Sequence, residues 1–153
     1  MSQQSQDRDT KGHPVFAAVY DFQSRWREEK FMREHREYLA EDLRGSVLDI
    51  GSGTGDMFPY FEKATKRDSS LQFHGIEPDP HMRKRAEKRA TETGISIDLR
   101  SGRAESLPYE DERFDVVIAC SVLCTVSSVE QTLKEIHRVL KPNGELRFRS
   151  EER

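Results

Sequence analysis

The stretch Val47-Leu48-Asp49-Ile50-Gly51-Ser52-Gly53-Thr54-Gly55-Asp56 runs an apolar strand into a turn with three alternating glycines and places a carboxylate just before it. Gly51, Gly53 and Gly55 carry no β-carbon, so the backbone can reverse tightly at the strand end and come close to a ligand. The residues that follow, Asp56-Met-Phe-Pro-Tyr-Phe-Glu-Lys63, read as a helix start capped by Asp56, with Pro59 in the first turn. Strand, glycine turn and helix make half of a dinucleotide-type βαβ unit.

Two ligand classes use such turns, and the residues separate them. The nicotinamide fingerprint needs glycine at its first, third and sixth positions; counting from Gly51, the sixth is Asp56. Asp49, two residues before Gly51, places negative charge where a pyrophosphate would lie, whereas a ligand carrying an ammonium and a sulfonium would be attracted. The cationic ligand fits better.

Working outward, the helix after Glu77 is clearly punctuated: Asp79 caps it, Pro80 suits its first turn, Met82, Ala86 and Ala90 form a packing stripe, and Gly94 ends it. Its Arg83-Lys84-Arg85 and Glu87-Lys88-Arg89 stretches then face water, a solvated helix face rather than a nucleic-acid surface. Ser128 with Gln131 forms a capping box, followed by Val129, Leu133, Ile136 and Leu140 on one face. Upstream, Phe16, Val19, Tyr20, Trp26, Phe31, Tyr38, Leu39 and Leu43 recur at helical spacings in two segments broken near Asp21, giving leading helices at about 15–43. Residues 1–13 are polar and read as a disordered tail. Alternation of strand and helix implies an α/β domain over 14–153, with a parallel sheet covered on both sides.

Composition narrows the function classes. The 153 residues are 35% charged with a formal net charge of only -3. Mixed charge of that kind favours solubility and offers no basic surface for phosphate neutralisation, so no nucleic-acid partner is expected. No apolar run approaches the roughly 20 residues of a membrane span and no signal-peptide core is present, so a cytoplasmic protein without a membrane partner is expected. Cys120 and Cys124 lie in or just after a buried strand with no second ligand pair for zinc; packing is their expected role, and no metal site is expected.

Asp49-x-Gly51-x-Gly53-x-Gly55 resembles the first motif of the class I S-adenosylmethionine-dependent methyltransferases, and the resemblance extends from about Pro14 to Ser150. Glu77 sits where that family has an acid accepting both ribose hydroxyls, at the spacing of about 20 residues that such units use. Gly102-Arg-Ala-Glu-Ser-Leu-Pro108 resembles the adenine-side loop, Arg113-Phe-Asp-Val-Val-Ile-Ala119 the fourth strand, and Val139-Leu-Lys-Pro-Asn-Gly144 the helix exit before the fifth. Ser121-Val-Leu-Cys-Thr-Val126 is closest to the branch that includes thiol methyltransferases.

The resemblance implies a three-layer Rossmann-like sandwich, a mostly parallel sheet of order 3-2-1-4-5, and S-adenosylmethionine as cofactor. It implies that Asp49 holds the methionine ammonium, that Gly51, Ser52, Gly53 and Gly55 form the backbone cradle, and that Glu77 and Pro78 flank the ribose. Met82 or the Ile76 neighbourhood packs on adenine, and Ala104 and Glu105 stand at its rim. Cys120 is a wall on the methionine side, and Tyr20, in the leading segment, lines the pocket. Arg103 stands where relatives often carry an acid and cannot accept a bond from the adenine amino group, so adenine contacts are weaker or rearranged. The family's last two strands are lacking, because Gly144-Glu-Leu-Arg-Phe-Arg-Ser-Glu-Glu-Arg153 alternates and stops. Such a strand has one wet face, with an edge either exposed or paired with a second copy in a homodimer.

Methyl transfer from a sulfonium is an in-line displacement, so orientation supplies much of the acceleration. No residue stands out as a catalytic base: His13, Tyr20, Cys120 and His137 are the possible assistants, and the catalytic assignment stays open. The expected function is methyl transfer to a small-molecule acceptor. The alternatives are a non-catalytic cofactor-binding or interaction module and a nicotinamide oxidoreductase, against which Asp56 counts.

Overall fold

The computed structural model describes residues 14–120 and 122–149, with side chains from Trp26 onward apart from that of Glu28. The 1–13 tail therefore lies outside the described residues. The chain divides into two compact units, Met1–His35 and Arg36–Arg153. Helix α1, Pro14–Leu39, runs without a break at Asp21. A single aspartate costs a helix interior only a few tenths of a kcal/mol, too little to end it. In the first unit Trp26 and Phe31 are exposed, and Lys30 Nζ lies 5.8 Å from the Trp26 ring centre.

The second unit is a five-stranded sheet of order β3-β2-β1-β4-β5, every neighbouring pair parallel. The strands are β1 Ser46–Ile50, β2 Gln72–Ile76, β3 Ile97–Arg100, β4 Phe114–Cys120 and β5 Leu140–Arg149. Between them lie α2 Phe58–Arg67, α3 Pro80–Thr93 and α4 Val129–Val139. Burial on both faces follows from parallel pairing, which leaves helices to cover the sheet. One core joins Val47, Phe58, Phe61, Phe73, Ala86 and Ile118, with Leu39 and Leu43 added from the end of α1 and its exit. The other joins Leu48, Ile50, Ile76, Phe114, Ile136 and Val139.

Helix α3 has the expected ends. Asp79 Oδ1 accepts from the backbone N–H of His81 (2.8 Å) and Met82 (3.2 Å), and Gly94 closes the helix at φ +80°. Of its stripe, Ala86 and Ala90 are buried, whereas Met82 is 44% exposed. Ser128 Oγ caps α4 by accepting from Gln131 N–H at 3.1 Å. The buried face of α4, however, is Thr132, Ile136 and Val139, while Val129 and Leu133 are exposed. Thr132 can turn inward because its hydroxyl is satisfied by Ser128 O at 2.8 Å.

Asp56 does not cap α2. The turn runs on, Met57 takes the N-cap position without a side-chain bond, and Asp56 instead pairs with Arg89 (2.9 Å) and Arg36 (3.5 Å). Strand β5 also departs from a simple wet face: Phe148 is exposed, whereas Arg147 is tucked in. The Arg147 guanidinium donates to the carbonyls of Leu39 (3.0 Å), Glu41 and Asp42 (3.4 Å) and pairs with Glu145 at 2.7 Å. These carbonyls lie at the end of α1 and in its exit turn, where helical partners run out, so a cation there is favourable. Exposed Tyr38 beside buried Leu39 shows that the apolar repeat of α1 is only partly packed.

Candidate cofactor site

The glycine turn stands at the carboxyl end of β1, the central strand, beside the ends of β2 and β4. This is where ligands bind in open α/β sheets. Gly51, Gly53 and Gly55 all have positive φ, at 68°, 57° and 87°. At Gly51 a β-carbon would also lie 2.7 Å from Val122 Cγ2, so the segment after β4 sits directly on the turn. The end of β2 fixes the turn from the other side, with Ile76 O accepting from Gly51 N–H (2.9 Å) and Ser52 N–H (3.1 Å).

Two buried carboxylates flank the turn. Asp49 is 2% exposed and its Oδ2 has no hydrogen-bond partner among the described residues; Ser52, also buried, donates its hydroxyl to the Asp49 main-chain oxygen at 3.2 Å. Burial raises the Asp49 carboxyl from 3.8 to about 7, with Ser52 opposing the rise and the charges of Asp56 and Glu77 adding to it. A buried carboxylate oxygen left without a donor is costly for a fold and suits a site that receives one from a cationic ligand. Glu77 is 7% exposed; its Oε2 accepts from Gly53 N–H (3.2 Å) and its Oε1 from Asp79 N–H (3.4 Å). It thus braces the turn and keeps lone pairs for a further donor.

Next to them lies a cavity of about 120 Å³, the size for one ring system, lined by residues that include Ile50, Gly51, Ile76, Pro78, Ala104 and Val126. Of the residues expected at the site, Gly51, Pro78, Ala104 and Glu105 border this cavity. Asp49 and Glu77 do not, but each adjoins lining residues in sequence. Ser52 and Gly53 belong to the turn, and Gly55 packs against the Phe58 ring, which stands 2.7 Å from where its β-carbon would be. Met82, on the first turn of α3, and Cys120, half-buried against the first core, lie outside the lining. Cys124 is exposed rather than packed. The Tyr20 side chain and His13 lie outside the described residues.

Residues that the sequence reading passed over complete the wall: Ile50, Val122, Thr125, Val126 and Ser127. The last four come from an irregular segment with no hydrophobic period. The family likeness of 121–126 marked the segment without assigning it to the site. Arg103 lies at the rim, 69% exposed, with Nη2 3.3 Å from Ser127 Oγ and Nε 3.8 Å from Glu105 Oε2. It is engaged with the opposite wall through Ser127.

The arrangement fits a ligand with an ammonium, a ribose and a flat apolar ring. Asp49 offers a buried carboxyl that a ligand ammonium can hold ionised, Glu77 a buried acceptor, and Ile50, Ile76, Val122 and Val126 an apolar slot.

Comparison with known proteins agrees. The family described as methyltransferase domain matches residues 48–148. A ubiquinone/menaquinone biosynthesis C-methyltransferase of Geotalea daltonii is 28% identical over 136 residues, which cover 85% of this chain and 57% of that protein. The structure of the YcgJ protein of Bacillus subtilis superimposes with a TM-score of 0.68 at 27% identity, covering 76% of this chain and 50% of that one. That of the [4+2]-cyclase SpnF superimposes with a TM-score of 0.64 at 35% identity, covering 72% and 42%. The chain spans about half the length of the curated relatives it matches. With the motif order, the sheet order and two thirds of its length in agreement, the chain belongs to the methyltransferase-domain family, of the class I, S-adenosylmethionine-dependent type.

Proposed function

We propose that this chain binds S-adenosylmethionine through Asp49, the 51–55 turn and Glu77, and transfers its methyl group to a small-molecule acceptor in the cytoplasm. The observation that carries this reading is the buried Asp49 carboxylate with an unpartnered oxygen beside the glycine turn. When bound, the cofactor supplies a methyl group activated by positive sulfur. Asp49 anchors the amino-acid end, Glu77 the ribose, and the Ile50, Ile76, Val122 and Val126 slot the ring. The residues therefore act by holding and orienting. Cys120 and Met82 stay as proposed contacts, at the methionine and adenine sides respectively, and Tyr20 as a contact from the leading helix.

The acceptor follows from the relatives' names only as a class. A quinol-type ring is the first acceptor to test because the Geotalea relative is named for C-methylation in ubiquinone and menaquinone biosynthesis; small thiols come next, from the likeness of the 121–126 segment. Among the described residues no helix is long and apolar enough to cross a membrane.

Calorimetric titration with S-adenosylhomocysteine, with NADH as control, tests the reading. Saturable one-site binding of the former alone is expected, followed by turnover with a quinol, phenol, thiol or amine panel. Binding of NADH instead would overturn it.

A second reading, cofactor binding without methyl transfer, is favoured by the likeness to a protein named as a cyclase. Binding with no turnover across the panel would select it. We further propose that the outer edge of β5, with Phe148 exposed, pairs with a second copy. Sedimentation should show a dimer that Phe148→Lys disrupts, and a monomer at all accessible concentrations would rule this out.

A further inference from the structure

The wall formed by Val122, Thr125, Val126 and Ser127 has no regular secondary structure, yet it closes one side of the cavity. Something other than a backbone ladder has to hold it. At its start, Val122 rests on the Gly51 α-carbon, in the space a side chain would fill. At its end, the Glu105 carboxylate reaches across from the 102–107 loop and accepts from Ser127 N–H at 2.8 Å. The same connection is doubled twice: Gln131 Nε2 donates to Glu105 O at 3.3 Å, and Arg103 Nη2 donates to Ser127 Oγ at 3.3 Å. Glu105 also stands at the N-terminus of α4, where Ser128 is the cap and a negative charge is favoured. Backbone N–H groups at its own position, at Ser127 and at Ser128, together with Arg103, hold its carboxyl below the usual range.

We infer that Glu105 is a positioning residue: its carboxylate clamps the 122–128 segment onto the 102–107 loop and so preassembles the wall of the ring slot, acting through Ser127 rather than on the ring itself. This deepens the cofactor-binding reading and rests on it for the identity of the ligand, but the clamp exists in the free protein. Glu105 still borders the cavity, but its carboxylate serves the frame and not the ring. A carboxylate already committed to the Ser127 N–H and to Arg103 has less to offer a ligand, whereas an ordered wall spares the ligand the entropy of ordering it on binding.

The test uses the full chain, Glu105→Ala and Glu105→Gln, with two measurements. Hydrogen exchange on the free proteins reads the clamp, and titration with S-adenosylhomocysteine reads its consequence. In Glu105→Ala the Ser127 and Ser128 amides should exchange at least about tenfold faster while the β1 and β4 amides keep their protection, and affinity should fall several-fold. Glu105→Gln keeps an acceptor oxygen for the Ser127 N–H and should regain most of both. Unchanged exchange at Ser127 and Ser128 in the Ala variant would overturn the clamp. So would an affinity loss that the Gln variant fails to restore although its exchange is normal, because that pattern marks a direct ionic contact with the ligand. Absence of binding by the parent chain would sink the cofactor reading alone, leaving the clamp to be decided by exchange.

Discussion

Asp49 concentrates the chemistry of this site into one side chain. Its carboxyl sits at about 7 in the folded protein against an ordinary 3.8, so folding takes up a proton between those values. Asp49 therefore lowers stability as pH rises from about 4 to 7 and adds no further change above. Asp49→Asn should flatten this slope: the difference between urea midpoints at pH 5 and pH 8 should shrink relative to the parent. The His74 ring, whose pKa burial lowers, contributes equally to both proteins and cancels in the comparison. A ligand ammonium reverses the preference by stabilising the carboxylate. Affinity for S-adenosylhomocysteine should thus rise between pH 5.5 and 7.5 in the parent and stay nearly level in the Asn variant. Glu77→Ala should weaken binding by roughly 1.5 to 3 kcal/mol, the scale of a hydrogen bond to a charged group, as read by calorimetry. Unaltered affinity in a folded variant would remove Glu77 from the site.

At the scale of elements, what could be read from the sequence was what local chemistry decides. Asp79, Pro80 and Gly94 mark the ends of α3 because caps act on the nearest backbone groups, and Ser128 marks α4 for the same reason. The glycine turn was legible because positive φ narrows the choice of residue. The packed face of α4 was legible only in part: Ile136 is buried as expected, but Thr132 is buried through a bond to Ser128 O that hydrophobicity ignores, while Val129 and Leu133 are exposed. Asp56 was misread because a distant arginine, Arg89, competes for it with the cap. Arg147 is the clearest case, since its partners at Leu39, Glu41 and Asp42 lie more than 100 residues earlier. Arg147→Met keeps most of the stem and removes those donors. It should cost on the order of 1–3 kcal/mol in urea denaturation, with affinity for the cofactor analogue unchanged.

For the second unit as a whole, the sheet order places β1 between β2 and β4, so its neighbours come from positions well apart in the chain. The strand order was legible through the family resemblance of the motifs; the residues alone gave only a parallel sheet of alternating strands and helices. The 122–127 side of the cavity wall was not, because its residues have no period and are brought together with the turn only by tertiary contacts. The same placement has a kinetic consequence. The ring slot draws on Ile50 and Ile76 on one side and on Val122 through Ser127 on the other, so it exists only once β4 has joined β1 and the following segment has settled on Gly51. A ligand that needs this slot therefore binds the assembled sheet and not the partly folded chain. In a plot of rate against denaturant, S-adenosylhomocysteine should lower the unfolding arm and leave the refolding arm where it was, prolonging the life of the native state without hastening its formation.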